Sequence, residues 1–233
     1  MSTHDPRRLA LRTLAVVLVV LGLVVGGPWV YARMLAPSPD APLALPSAPA
    51  TPVTVETVTP LVLEGSWRVV EGSQAGYRLE EVLSGQPVTV VGRTSQVSGS
   101  VTLADGVMTE ARVVVDAASI ATDESARDAY FRRALDTSTY PQATFVLHEQ
   151  VDVSALAHAD APLTVQAPGV LTFHGEGREV VASLEVQRVG EQVQVAGSIP
   201  VTLADHGLGA PELGFVTVEP AGTIELLLVL QAS

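Results

Sequence analysis

The chain has 233 residues, 47% of them hydrophobic but only 4% aromatic, and it carries thirteen basic against twenty-five acidic side chains. Cysteine is absent, which removes disulfides and thiolate metal sites and leaves any fold to rest on its apolar core. The charge is uneven: four arginines face two aspartates up to Asp40, and nine arginines face twenty-three carboxylates beyond it, so the body repels nucleic acid and anionic membrane surfaces.

Residues 1–12 form a short polar start containing Arg7, Arg8 and Arg12, read as cytoplasmic. Residues 13–32 are uncharged and strongly apolar, long enough as a helix to cross most of a bilayer core of roughly 30 Å. With three arginines before the run and only Arg33 close behind, the positive-inside bias places everything after Tyr31 outside the cytoplasm. This predicts a single transmembrane helix acting as a signal anchor, with Trp29 and Tyr31 at the outer interface and the protein at the cell membrane. The competing reading is a cleaved signal peptide ending in Val-Tyr-Ala at 30–32, although the apolar run exceeds the usual h-region of about 7 to 15 residues.

Residues 33–62 carry seven prolines, at 37, 39, 42, 46, 49, 52 and 60, among alanine, serine and threonine, and read as an extended spacer. From residue 63 to residue 233 the pattern is that of one domain. Alternating strand signals run over Trp67 to Val70, Tyr77 to Val82, Val88 to Thr94, Val97 to Leu103 and Val107 to Asp116. They continue over Thr144 to Val153, Leu163 to His174, Val180 to Val189, Val193 to Leu203 and Val216 to Leu230. Asp105-Gly106 is a two-residue hairpin signal, and Gly175 to Gly177 and Gly190 mark further turns. Alternation separates the faces: Ala182, Leu184 and Val186 oppose Ser183, Glu185 and Gln187, and Ile224, Leu226 and Leu228 oppose Glu225. Successive antiparallel hairpins with one apolar face each predict an all-β, up-and-down barrel.

One stretch breaks the alternation. Ser119 to Phe145 reads as a strand end, a short helix begun by a capping box of Ser125 and Asp128 with Tyr130 and Phe131 on its buried side, and a turn from Asp136 to Pro141. Arg127 or Arg132 paired with a carboxylate such as Asp136 would fix this helix over the barrel mouth as a lid or plug. Four histidines, His148, His158, His174 and His206, prompt a metal or general-base reading, with Asp205-His206 the most suggestive pair. No two of the four lie three to five residues apart and no G-x-S-x-G elbow exists, so the chain offers no catalytic set, no metal site and no cofactor site.

The ordered pieces S-I-A-T from Ser119, R-D-A-Y-F-R from Arg127 and D-T-S-T-Y-P-Q-A-T-F from Asp136 resemble the YceI-like family of extracytoplasmic lipid-binding proteins. G-S-W-R-V from Gly65, S-Q-A-G-Y from Ser73, G-R-T-S-Q-V-S-G-S-V from Gly92, G-V-L-T-F-H-G from Gly169 and I-P-V-T-L-A-D-H-G from Ile199 stand at similar spacing. Two departures are Leu135, where an aromatic residue usually precedes the turn aspartate, and a final D-H-G without the usual preceding basic residue. The resemblance implies a lipocalin-like antiparallel barrel with one short helix, enclosing an apolar channel for a polyisoprenoid, quinone or fatty-acid-like lipid. Burial of such a chain contributes about 0.8 kcal/mol per CH₂ without any polar contact. The implied lining is Tyr77, Leu79, Val101, Val113, Val115, Phe145, Leu171, Phe173, Leu184, Val186, Val195 and Leu226. The function expected is binding, transport or sequestration at the outer face of the membrane, with a long-chain lipid and the membrane itself as partners. The alternative is a non-catalytic interaction module of the cell envelope with a packed barrel.

Overall fold

The computed structural model describes residues 38–46, 63–83, 85–159, 161–212, 214 and 216–233. The predicted cytoplasmic start and membrane helix lie outside these residues, and no helix among the described residues is long and apolar enough to cross a membrane. Among the described residues eleven strands follow one another: β1 Gly65–Val69, β2 Gln74–Leu83, β3 Gln86–Thr94, β4 Val97–Ala104, β5 Val107–Asp116, β6 Gln142–Leu147, β7 Val151–Asp152, β8 Leu163–Phe173, β9 Glu176–Val189, β10 Gln192–Thr202 and β11 Val216–Ala232. Among the described residues one α-helix, α1, spans Ser125–Ala134 between β5 and β6.

The sheet closes on itself because the last strand pairs with the first two. Trp67 lies opposite Ala232 and Val69 opposite Leu230, then Gln74 opposite Leu227 and Tyr77 opposite Ile224. β1 and β2 therefore run in one direction along β11 and form a single long strand with a kink at residues 70–73, where Gly72 takes φ +94°. β3 and β4 are related in the same way, one pairing with β2 and the other with β1. These two junctions are bends, not the hairpins that alternation suggests, because a short polar break reads alike whether the chain reverses or swerves. With each kinked pair counted once and the two-residue β7 set aside, the result is an eight-stranded antiparallel barrel.

Turn chemistry sets one end of this barrel. Asp105 and Gly106 both have positive φ, +52° and +75°, the pair of left-handed residues that a two-residue turn needs to match strand twist. The turn at Gly190 lies at this same end, and α1 stands at the other. The predicted strand Thr144 to Val153 is interrupted: β6 stops at Leu147, and β7 pairs with Val107 and Met108 of β5. A further register shift between Thr102 and Leu103 aligns Leu103 with Met108.

The proline-rich segment is not wholly a free spacer. Its described part, residues 38–46, lies along the outside of the barrel: Arg78 Nη2 donates to the Asp40 carbonyl at 2.7 Å, Leu43 N to Glu225 Oε2 at 3.3 Å, and Gln187 Nε2 to the Pro46 carbonyl at 3.3 Å. Proline-rich backbone keeps its carbonyls free, which makes it a good acceptor for such side-chain donors.

Candidate functional site

Inward residues come from every strand, and they do not fill the barrel evenly. In the half away from α1 they enclose a cavity of about 80 Å³, walled by Trp67, Leu103, Met108, Val193, Leu228 and Leu230 toward that end and by Val101, Val113, Leu184, Val195 and Leu226 toward the middle. The floor is closed by Val153 and Leu156, carried by the loop after β7. The space exists because small side chains sit side by side in its wall. Ala167 on β8 lies opposite Ala182 on β9, both buried, and Ala111 faces in from β5.

Seven of the twelve anticipated lining residues border this cavity: Val101, Val113, Phe145, Leu184, Val186, Val195 and Leu226. The other five do not, because the α1 half of the barrel is packed. Leu171 and Phe173 belong to the dense core, and Phe173 stacks on His206 with ring centroids 3.7 Å apart. Tyr77 stacks on Phe131 of α1 at 4.8 Å. Leu79 sits half-buried with its Cδ2 within 2.2 Å of where a Cβ on Gly222 would fall, and Val115 packs half-buried against the core. The channel expected along the whole barrel is thus a shorter void under a plug of side chains.

The lining residues outside the anticipated set have several origins, and Val165, Val193 and Leu228 among them stand in ordinary strand alternation. Trp67, Leu103 and Leu230 lie at strand ends where the alternation is short, Met108 is displaced by the register shift, and Val153 and Leu156 stand in a segment with no strand period at all. Ala111 and Ala167 are too small to signal an inward position, and Ala182 stood on the apolar face of its strand but outside the anticipated lining; the smallness of all three is what leaves the space.

The helix is placed as expected but held differently. Glu124, not Ser125, is the N-cap, its carboxylate accepting from Ala126 N at 3.2 Å. Asp128 is buried and turns back to accept from both the backbone N and the hydroxyl of Thr122, at 2.8 and 2.7 Å. Arg127 pairs with Asp123 at 2.6 Å and reaches Glu81 of β2 at 3.5 Å, while Asp136 takes φ +44° in the turn and accepts from Ser138. Tyr130 is exposed and lies under Arg133, so Phe131 alone supplies the inward face. The correction has a simple origin: Asp123 is taken by Arg127 and Asp128 by Thr122, which leaves Glu124 to meet the free N–H of Ala126.

The histidines do not gather. Among the described residues no three histidine or carboxylate groups converge on a metal-sized site. His206 is 1% exposed, its Nδ1 is 3.1 Å from the Glu176 carbonyl, and its own carbonyl is met by His174 Nδ1 at 2.9 Å. Burial holds the His206 imidazole below its ordinary pKa of 6.5 against the opposing hydrogen bond to Glu176. On the outer face Glu225, 5% exposed, is bound by Arg78 and Arg93; burial pushes its carboxyl up, but these two partners outweigh it and leave it below the ordinary 4.5.

Both shifts act in one direction on stability. A folded-state pKa below the unfolded one means that the unfolded chain takes up the proton first, so stability is complete above the unfolded value and declines as pH falls through the folded value. The melting temperature is expected to drop on acidification from about pH 7.5 to about 5.5 through His206, and again below about 4.5 through Glu225. Thermal melts of the wild type and of His206→Gln across this range check it. The variant should lose the upper step, and a wild-type midpoint constant between the two higher pH values would show that the imidazole takes its proton in place.

The family model of the YceI-like domain matches residues 69–230. A polyisoprenoid binding domain from Saccharophagus degradans implicated in plant cell wall breakdown superposes with a TM-score of 0.59 at 21% identity, covering 73% of this chain and 99% of that one. BcnA of Burkholderia cenocepacia superposes with a TM-score of 0.51 at 20% identity, covering 66% and 95%. A search of the curated proteins finds no match. At these identities the two structures establish the shared barrel alone.

Proposed function

Since the chain belongs to the YceI-like family, its domain model spanning residues 69–230, we propose that the barrel binds an apolar ligand and carries or sequesters it without transforming it. The observation that supports this most is the void: about 80 Å³ enclosed by nineteen residues, every one of them apolar or, in Trp67, aromatic. On the scale where one water needs about 10 to 15 Å³, that is room for roughly five to eight heavy atoms. A well-packed barrel of this size would carry few gaps larger than one water. The binding function named for the Saccharophagus degradans domain, a polyisoprenoid, supports an isoprenoid-like ligand here. A chain longer than the void would have to displace the Tyr77–Phe131 stack and the Leu171–Phe173 layer above it. We further propose that residues 13–32 anchor the barrel at the extracytoplasmic face of the membrane.

One preparation tests both. The full chain, expressed in bacteria and recovered from the membrane fraction, is extracted with organic solvent and the extract analysed by mass spectrometry. A stoichiometric apolar molecule is the expected result. A clean extract, with no rise in melting temperature on adding prenols or quinones as ligand linkage requires, would leave a packed interaction module in its place. Recovery of a soluble form starting near Arg33 would replace the anchor with a cleaved leader.

A further inference from the structure

Trp67 carries the one buried polar side-chain atom without a hydrogen-bond partner among the described residues, its indole Nε1. The residue is 2% exposed, sits on β1 opposite Val101 and Ala232, and forms part of the cavity wall at the end away from α1. Folded proteins leave few such groups, because an unmet buried donor forfeits the hydrogen bond it had to water. An N–H of this kind therefore implies an acceptor that arrives from elsewhere.

The cavity itself does not hold one. Leu103, Leu228 and Leu230 offer only carbon, and the Met108 thioether is a weak acceptor. A trapped water needs two to four polar partners, and the indole would be its only one. Resting on the reading that this cavity binds a ligand, we infer that the ligand is a neutral amphiphile bearing a hydrogen-bond acceptor, a carbonyl, ether or hydroxyl oxygen, which seats at the end of the barrel away from α1 and accepts from Trp67 Nε1–H. The oxygen is uncharged because no cation lines the wall: a carboxylate or phosphate placed there would be buried without a partner, at far greater cost than the indole bond returns. A pure hydrocarbon is disfavoured from the other side, since it would fill the space and leave the indole unmet.

The test uses three ligands with the same five-carbon isoprenoid skeleton, a size the void admits without displacing the plug: the aldehyde prenal, the hydrocarbon isoprene and dimethylallyl diphosphate. Each is titrated calorimetrically into the full-length protein and into Trp67→Phe. In the wild type the aldehyde should bind about three- to tenfold more tightly than the hydrocarbon, the range a neutral hydrogen bond confers, and the diphosphate most weakly. Trp67→Phe should bring aldehyde and hydrocarbon together without weakening the hydrocarbon. Should Trp67→Phe not fold, the Trp67 indole N–H proton resonance of the wild type serves instead: it should move downfield with the aldehyde and not with the hydrocarbon. Equal wild-type affinities for aldehyde and hydrocarbon, or tightest binding of the diphosphate, would overturn the inference while leaving apolar binding intact. Binding of none of the three would overturn the binding reading and the inference with it.

Discussion

Val186→Trp is expected to fold and to lose its ligand. Val186 is buried on β9, opposite Leu163 of β8 and Val195 of β10, and its side chain forms part of the cavity wall. An indole in place of isopropyl adds about seven heavy atoms, close to the number that the void accommodates on the water scale. The new ring can therefore occupy empty space, and the stability lost should fall below the roughly 1 to 3 kcal/mol of overpacking a dense interior. Denaturant melts give the stability and solvent extraction gives the ligand content. Retention of wild-type ligand by a folded Val186→Trp would show that the molecule binds elsewhere. A loss above that range would show that the wall cannot yield even to a group of matching size.

Gly76→Ala is expected to destabilise far more than its single methyl suggests. A Cβ built on Gly76 would stand 1.9 Å from the Gly92 carbonyl oxygen and 2.9 Å from its carbon, both backbone atoms of the neighbouring β3. Those atoms belong to the ladder in which Tyr77 pairs with Gly92 and Gly76 with Arg93, so they can retreat only by opening the sheet between β2 and β3. The expected cost is at or above the top of the roughly 1 to 3 kcal/mol range for overpacking. Gly209→Ala is the control, since nothing lies within 4 Å of a Cβ there. Equal denaturation midpoints for the two variants would show that the β2–β3 ladder absorbs the methyl.

This glycine also shows what was legible in the chain. S-Q-A-G-Y and V-S-G-S stand out as motifs, and the structure gives them a shared cause: Cβ atoms on Gly76 and Gly99 would each press on a cross-strand carbonyl, at 1.9 Å to Gly92 and 2.4 Å to Arg112. The strands themselves were readable because Val, Leu and Thr alternate with period two, and the turn at Asp105-Gly106 because two consecutive residues must accept positive φ. Alternation carries no sign for whether a break reverses the chain, which is why the bends at Gly72 and at Ser95 read as hairpins. It carries none for emptiness either. Phe173 and Val186 both point inward, but one meets the His206 ring and the other borders open space, and that difference depends on a loop thirty residues away. The site was thus half visible: the faces follow from pattern, whereas the height of the void follows from which loop covers which end.

The segment at residues 38–46 has a mechanical consequence. By fastening to Arg78 on β2, Glu225 on β11 and Gln187 on β9, it works as a half-hoop around one side of the tube, stepping over β10 on its way. That side is also built from long staves, β9, β10 and β11 with fourteen, eleven and seventeen residues, against six in β6 on the far side. A tube hooped on one side and thinly jointed on the other does not dilate evenly. A widening of its lumen is therefore expected to concentrate at the short seam that β6 makes with β5 and β8, with the hooped side as the fixed wall.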